Sequence, residues 1–259
     1  MPRIRFAVTY DGRSFAGWQM QPHVVTVQQT LQEAFSHIYE VPVSVHGSGR
    51  TDAGVHALNQ VFHVDIPEAN IPEDRWPMAL NVHLPRAVRV LRAQYVSTDF
   101  HSRFSAVGKT YRYAITQDSI PSPFDLGLTW HLPYTIDFDL LETALHMLEG
   151  EHDFRSFAAL RGNEPNPIPS DYFVRTITEA TLRRTNQTHF ELTFSGTGFL
   201  YRMVRLLVGG VCRVATGRYP IEEFEKIIKA PTSTSKSPYC APPDGLFLVR
   251  VNYGANDPF

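Results

Sequence analysis

The sequence predicts an α+β protein made of two consecutive units, each with the element order strand, helix, strand, strand, helix, strand. Alternating apolar residues predict the strands, and apolar residues at helical spacing predict the helices. The same order then occurs a second time along the chain. We therefore expect a first unit over residues 1–105 and a second over 106–259, each with an antiparallel sheet and helices on one face.

The first unit begins with a clear strand pattern. Ile4, Phe6 and Val8 alternate with other residues before an Asp-Gly turn signal. Thr26 followed three residues later by Gln29 is a capping box, which predicts a helix from about 26 to 39. The remaining predicted elements are strands at 41–46 and 60–66, a short helix from Pro72, and a strand over 87–96.

The second unit repeats this order and adds one helix. Apolar residues form one stripe over 137–149, and Gly150 follows as a helix stop. The other predicted elements are strands at 109–116, 172–183, 189–195 and 245–253 and helices at 199–216 and 221–229. The same supersecondary order underlies RNA-recognition domains, so RNA binding is one hypothesis, although this superfold supports many functions.

Composition places the chain among globular proteins. Its 259 residues are 43% hydrophobic and 19% charged. No apolar run approaches the roughly 20 residues that span a bilayer, and a strand pattern follows the first residues directly, so we expect a cytoplasmic protein. Cys212 and Cys240 have no zinc-site or disulfide-framework spacing. A net charge of −2 excludes a wholly cationic surface but allows a local basic cleft.

A glycine-punctuated stretch from Gly47 to Ala57 is the first candidate site. It connects two strand patterns, and it contains Arg50 and Asp52, whose side chains can reach into one cleft. The alternative is an ordinary surface loop in which the two charges are solvated.

Two further segments contain candidate residues. Arg205 interrupts an apolar helical run, so it needs an anionic partner such as Asp52, unless its charged end extends to the surface. On the strand over 109–116, Tyr111 and Tyr113 share one face and could stack on a base; the alternative is ordinary packing.

Other site classes have no support in the sequence. The stretch around His46, His56, His63 and Asp65 matches no short zinc-site pattern, so we expect no metal there. The chain also contains no Walker A sequence, no dinucleotide-binding fingerprint after a strand and no serine-hydrolase motif.

Seven segments together carry a specific resemblance. They are Tyr10-Asp11-Gly12 with Phe15 and Gly17-Trp18-Gln19; Gly49 to His56; Phe100-His101-Ser102-Arg103-Phe104; Tyr111-Arg112-Tyr113; Gly150-Glu151-His152-Asp153-Phe154 with Phe157; Phe199-Leu200 with Met203-Val204-Arg205; and Gly245-Leu246-Phe247-Leu248-Val249. In these segments the chain resembles the tRNA pseudouridine synthase A family, isomerases that convert uridine to pseudouridine at positions 38 to 40 in the anticodon stem-loop of tRNA.

The resemblance implies a role for each candidate residue. Asp52 would be the catalytic carboxylate, Arg50 would help to extrude the target nucleotide, Tyr111 would stack on the flipped uracil, Arg205 would pair with Asp52, and Leu246 would line the pocket. It also implies a homodimer that uses no metal or organic cofactor. The expected fold then joins both sheets into one extended sheet, with an active-site cleft between the units.

Several points stay open at this level. Family members commonly carry His or Asn near the positions of Arg202 and Leu206, and the Pro-rich segment 163–169 is not a family hallmark. Asp52 could attack the uracil ring, attack the anomeric carbon of the ribose, or act as a base. The alternative functions are a noncatalytic tRNA-binding protein and a hydrolase that releases uracil.

Overall fold

The strands and helices belong to two units. The computed structural model describes residues 1–162, 164–255, 257 and 259. The first unit contains Met1–Gly108 together with Phe247–Phe259, and the second contains Lys109–Leu246. The mixed α+β class predicted from the sequence is confirmed. Whether residues 1–105 and 106–259 form separate domains stays a prediction.

The first unit is a sheet with two helices packed on it. Its elements are β1 (Arg3–Tyr10), α1 (Val27–Ser36), β2 (His46–Gly47), β3 (His56–Asp65), α2 (Trp76–Asn81), β4 (Val88–Val96) and β10 (Leu246–Asn252). The strand order is β4-β1-β3-β10, with β2 on β3. The ring of Phe6 lies 5.6 Å from that of Phe35 in α1 and 5.4 Å from that of Trp76 in α2. Both helices therefore pack on the same face of the sheet, around an aromatic core.

The second unit has a comparable sheet and three helices. Its elements are β5 (Gly108–Thr116), β6 (Trp130–His131), α3 (Phe138–His146), β7 (Gly150–Asp153), β8 (Val174–Arg184), β9 (His189–Gly196), α4 (Met203–Ala215) and α5 (Ile221–Lys229). The strand order is β5-β9-β8-β7, all antiparallel, with β6 parallel to β5. Asp137 caps α3 by accepting a hydrogen bond from the Leu140 N–H at 3.0 Å. Leu141, Ala144 and Leu145 form the buried stripe of α3.

Several elements differ from the sequence prediction, including the following three. The strand predicted at 41–46 is reduced to β2, and Pro42 within that run has no N–H for a sheet ladder. Helix α4 begins at Met203 and not at 199, because Arg202 has a φ of +59°, outside the right-handed helical region. Strand β10 pairs in parallel with β3, with Phe247 opposite His56.

Two remaining points concern the Pro-rich segment and membranes. Asn163, the first residue of segment 163–169, lies outside the described residues. Across the part of the chain that the structure describes, no helix is long and apolar enough to cross a membrane.

Candidate functional site

Residues 47–56, which we call the Asp52 loop, connect β2 to β3 in the first unit. The Ser48 N–H donates to the Val61 carbonyl at 2.7 Å, and the Ser48 hydroxyl donates to Gln60 Oε1 at 2.5 Å. The Gln60 side-chain amide in turn donates to the Gly49 carbonyl at 3.1 Å. Ser48 and Gln60 are fully buried. The first half of the loop is therefore fixed to β3 by a buried polar network, whose groups are satisfied within the protein.

The middle of the loop is fixed by residues 10–18. The Trp18 N–H donates to the Thr51 carbonyl at 3.1 Å, and the Tyr10 hydroxyl lies 2.9 Å from Thr51 Oγ1. Gly17 has a φ of +95°, and a Cβ added there would lie 2.6 Å from the Thr51 carbonyl oxygen. Because no larger residue fits this approach, the glycine sets how closely the two segments pack.

A turn follows Asp52 directly, since the Val55 N–H donates to the Asp52 carbonyl at 3.1 Å. Hydrogen bonds thus hold the backbone both at Thr51, before Asp52, and at the turn that follows it. Asp52 itself is half-buried and Arg50 is exposed. The loop therefore presents a carboxylate on a rigid backbone with access to solvent, an arrangement suited to a catalytic acid, base or nucleophile.

Tyr10 supports the loop from the interior. Its burial raises the pKa of the phenol to about 12, although the hydrogen bonds with Thr51 and Gln60 act in the opposite direction. The hydroxyl beneath the loop is therefore neutral at physiological pH, and it can donate or accept in its bond with Thr51.

His56 ends the loop. Its Nδ1 accepts a hydrogen bond from the Gly12 N–H at 3.1 Å. The ring stacks on Phe247 of β10 with 4.5 Å between centroids. Hydrogen bonding to Arg13 is the main reason that the pKa of nearby Asp11 is lowered. His56 is thus part of the packing that ties the loop to β10 and to the turn after β1.

Tyr111 and Arg205 lie in the second unit. Tyr111 on β5 is buried, and its ring meets Phe199 edge-on at 5.0 Å. Arg205 is in the first turn of α4; its Nε donates to the Ala241 carbonyl at 2.8 Å, and the Ala241 N–H donates to the Arg205 carbonyl at 3.0 Å. Arg205 is half-buried, and its side chain is directed along a neighbouring chain segment.

That segment, residues 239–246, is here called the strap. The Tyr113 hydroxyl donates to the Pro242 carbonyl at 2.7 Å, and the Leu246 N–H donates to the Pro243 carbonyl at 3.0 Å. Burial raises the pKa of the Tyr113 phenol well above its usual range, and the charge of Arg205 opposes part of that rise. The strap therefore links Arg205, Tyr113 and the buried Leu246.

The predicted site residues thus fall into two groups. Arg50 and Asp52 lie in the Asp52 loop, while Tyr111, Arg205 and Leu246 lie on β5, on α4 and at the end of the strap. The pairing of Asp52 with Arg205 stays a prediction. Sequence reasoning missed the strap, although its Pro-Pro-Asp-Gly run is a recognisable turn signal.

Two of the histidines singled out in the sequence, His46 and His63, form part of a ring cluster. The ring of His46 stacks on His63 at 4.9 Å, and His101 meets His63 at 4.7 Å. Burial, followed by the neighbouring histidines, lowers the pKa of His63 to about 3. Within the described residues, the one group with three ligand atoms close enough to share an ion is Asp118, Asp125 and His189, which are partly exposed.

Comparison with known proteins gives one consistent result. The tRNA pseudouridine synthase family matches the chain over residues 6–105 and 144–254. A protein of Akkermansia muciniphila named tRNA pseudouridine synthase A is 55% identical over 254 residues, covering 98% of this chain and 96% of that protein. Proteins of the same name from Lacticaseibacillus casei and Limosilactobacillus reuteri are 42% and 39% identical; the matches cover 98% and 99% of this chain and 100% and 99% of those proteins.

Among solved structures, a crystal structure of a Cbf5-Nop10-Gar1 complex matches 80% of this chain and 54% of that chain. The TM-score is 0.28 at 11% sequence identity, so the likeness carries no argument about fold or function.

Proposed function

The chain belongs to the tRNA pseudouridine synthase family, and we propose that it isomerises uridine at positions 38 to 40 in the anticodon stem-loop, with Asp52 as its catalytic residue. The observation that supports this most directly is the Asp52 loop. Asp52 is half-buried, and hydrogen bonds hold the backbone before it at Thr51 and after it at Val55. A catalytic carboxylate must be held in this way, because its distance and orientation relative to the reacting base strongly affect the rate.

The reaction breaks the N1 glycosidic bond of uridine, keeps the uracil bound while it turns, and forms a bond from C5 to the same ribose carbon. A carboxylate can attack the uracil ring or the anomeric carbon, or it can remove a ribose proton. Each of these roles requires Asp52 to touch the reacting nucleotide, and all predict loss of product when the carboxylate is removed.

We propose substrate-binding roles for the other four residues. A base in a helical stem is out of reach, so it must leave the stack at a cost of a few kcal/mol. Arg50, which is exposed, would occupy the vacated space, and Tyr111 would receive the uracil. Arg205 and Leu246 would complete the binding of the flipped nucleotide. We also propose that the enzyme is a cytoplasmic homodimer that needs no metal or organic cofactor.

The test of the catalytic role is Asp52→Asn. We expect tritium release from tRNA labelled at C5 of uridine to fall by roughly 10⁴-fold or more, while tRNA binding is retained. Asp74→Asn is the matched control, because Asp74 is an exposed carboxylate of the same unit. A wild-type rate in Asp52→Asn would show that another group does the chemistry.

The site of modification needs a separate experiment. Pseudouridine mapped in total tRNA from cells with and without the gene should differ at positions 38 to 40. Differences confined to other positions would keep the reaction and overturn the proposed site. Free uracil among the products would instead indicate a hydrolase, and tight tRNA binding without any product would indicate a binding protein.

A further inference from the structure

Residues 100–105, which we call the Phe104 turn, expose an aromatic ring on a rigid backbone. Phe104 is 77% exposed. The His101 N–H donates to the Ser105 hydroxyl at 2.9 Å, and the Ser105 N–H donates to the His101 carbonyl at 2.9 Å. The His101 ring accepts the Arg103 N–H at 3.1 Å. These bonds close the turn on itself, so the exposure of Phe104 is not that of a loose loop.

The turn is also fixed to the interior of the first unit. Ser102 is fully buried. Its hydroxyl donates to the His46 carbonyl at 2.5 Å, its N–H donates to His63 Nδ1 at 3.2 Å, and its carbonyl accepts the Tyr253 hydroxyl at 2.6 Å. Strands β2 and β3 and the segment after β10 therefore all set the position of the turn.

The surroundings of Phe104 are cationic and aromatic. The Arg103 guanidinium lies 5.7 Å from the ring centroid, and the His101 ring lies 4.4 Å from it at 37°. Arg103 is exposed, and no carboxylate among the described residues forms an ion pair with it. The nearby Arg3 guanidinium, in contrast, is already paired with Asp65 at 2.7 Å. Arg103 thus supplies a positive charge beside an exposed ring.

This combination fits a nucleotide better than a protein partner. A stable protein interface buries about 800 Å² on each side and has an apolar centre. The Phe104 turn has one protruding ring next to a cation. Proteins that bind unpaired nucleic acid combine such rings, which stack on bases, with cations that contact the phosphates.

We propose that the Phe104 turn is a nucleotide-binding point for tRNA, separate from the nucleotide that reacts: Phe104 stacks on an unpaired base, and Arg103 contacts an adjacent phosphate. The proposal rests on the proposed function for the identity of the RNA. It adds a contact that anchors tRNA without taking part in the chemistry.

The test is tRNA affinity in a graded series at position 104. We expect Phe104→Ala and Phe104→Leu to raise Kd by about fivefold to 150-fold, because both lose the stacking face, and Phe104→Trp to bind like the wild type. Arg103→Gln should reduce the slope of log Kd against log salt by about 0.7, the value for one phosphate contact to an unpaired strand. KM should rise, while the rate at saturating tRNA stays unchanged. Phe124→Ala, at an 87% exposed ring in the second unit, is the control and should bind normally.

A second measurement reports the stacking itself. In Phe104→Trp the new indole should be quenched when tRNA is added, beyond the change seen in the wild type with its three tryptophans. Unchanged affinity in Phe104→Ala, or an equal loss in Phe124→Ala, overturns the proposal. So does a change in molar mass of Phe104→Ala without tRNA, which would assign the ring to an interface between copies. A wild-type protein that binds tRNA but forms no pseudouridine would overturn the proposed function. The affinities of the Phe104 variants would still test whether the Phe104 turn binds tRNA.

Discussion

The Asp52 loop and the strap both carry proposed site residues, but they are held by hydrogen bonds from different parts of the chain. In the loop, Ser48, Thr51 and Asp52 are bonded through their own backbone groups to β3, to Trp18 and to the turn that follows. In the strap, carbonyls accept hydrogen bonds from the side chains of Arg205 and Tyr113.

The separation in sequence differs as well. The bonds of the loop span up to 44 residues, between Gly12 and His56, while Tyr113 and Pro242 in the strap are 129 apart. The loop is thus supported by residues of the first unit up to Val61, and the strap by residues spread over the second unit. A catalytic group gains from the first kind of support, because small displacements of a reacting group are costly. The following changes test this difference, from the largest expected effect to the smallest.

Gly17→Ala should damage the loop most. The new Cβ would lie 2.6 Å from the Thr51 carbonyl oxygen at a φ of +95°, so the segment before Asp52 must move. We expect about 1–3 kcal/mol of destabilisation and a fall in the reaction rate of about 100-fold. Thermal unfolding and single-turnover rates measure the two effects. Gly162→Ala is the control, with a φ of +85° and no atom within 4 Å of the added Cβ; full activity in Gly17→Ala would mean that the loop tolerates displacement.

Gly209→Ala is the corresponding change at the strap. A Cβ there would lie 2.0 Å from the Tyr239 carbonyl oxygen, which outweighs the roughly 1 kcal/mol by which Ala favours a helix over Gly. We expect KM for tRNA to rise about tenfold with a smaller change in kcat, because the strap supports residues that we propose bind tRNA. Gly198→Ala, where the nearest atom is 3.8 Å away, should behave like the wild type. A loss confined to kcat would contradict this division of roles.

Lowering the pH should destabilise the folded first unit, because the buried His63 on β3 resists protonation. Burial lowers the pKa of His63 from 6.5 to about 3, so below pH 6.5 the unfolded chain binds a proton that the folded chain does not. The contribution of the neutral, buried His63 to the free energy of unfolding is fully present above pH 6.5 and is lost as the pH falls towards 3. Between pH 7 and pH 5 this loss is roughly 2 kcal/mol. Urea unfolding in a Trp130→Phe background follows Trp18 and Trp76, both buried in the first unit.

The His63 prediction has two matched variants. His63→Gln should flatten the dependence on pH, because no imidazole remains to be protonated. Ser102→Ala removes a hydrogen-bond partner but keeps the buried ring, so its dependence on pH should stay. An unchanged slope in His63→Gln would assign the acid effect to other groups.

Tyr10→Phe and Tyr113→Phe form the mildest pair. The first removes the hydroxyl beside Thr51, and the second removes the donor to the Pro242 carbonyl. Each should cost about 1–2 kcal/mol, because a buried polar group loses its partner. We expect Tyr10→Phe to lower kcat a few-fold and Tyr113→Phe to raise KM a few-fold. Steady-state kinetics separate them, and identical profiles would remove the distinction between loop and strap.

Local chemistry predicted much of this fold. The Thr26 hydroxyl caps α1 by accepting the Gln29 N–H at 3.4 Å, while the Gln29 side-chain amide donates to Glu33, and α5 has the predicted bounds of 221–229. Helix α1 ends at Ser36, earlier than predicted, where His37 closes the last turn. These features depend on residues within one or two turns of each other, so a sequence pattern reports them directly.

Features of the fold that depend on residues far away in the sequence could not be predicted from the sequence. The period of β10 predicts a strand, but nothing in that period specifies β3 as its parallel neighbour. Arg202 looks like an ordinary helix residue, and its positive φ follows from packing that a single sequence does not display. The exposure of Phe104 has the same origin, because it depends on Ser102 bonding to His46 and to Tyr253.

The sequence by itself determined the α+β class and the order of the elements, and its motifs pointed to the family and to Asp52. Those properties come from local periodicity and from short runs of specific residues. Only the tertiary structure decided what supports Asp52, which groups the strap joins, and which ring is held out in solvent. Each of those depends on hydrogen bonds and close packing between residues far apart in the chain, and such contacts exist only once the chain has folded.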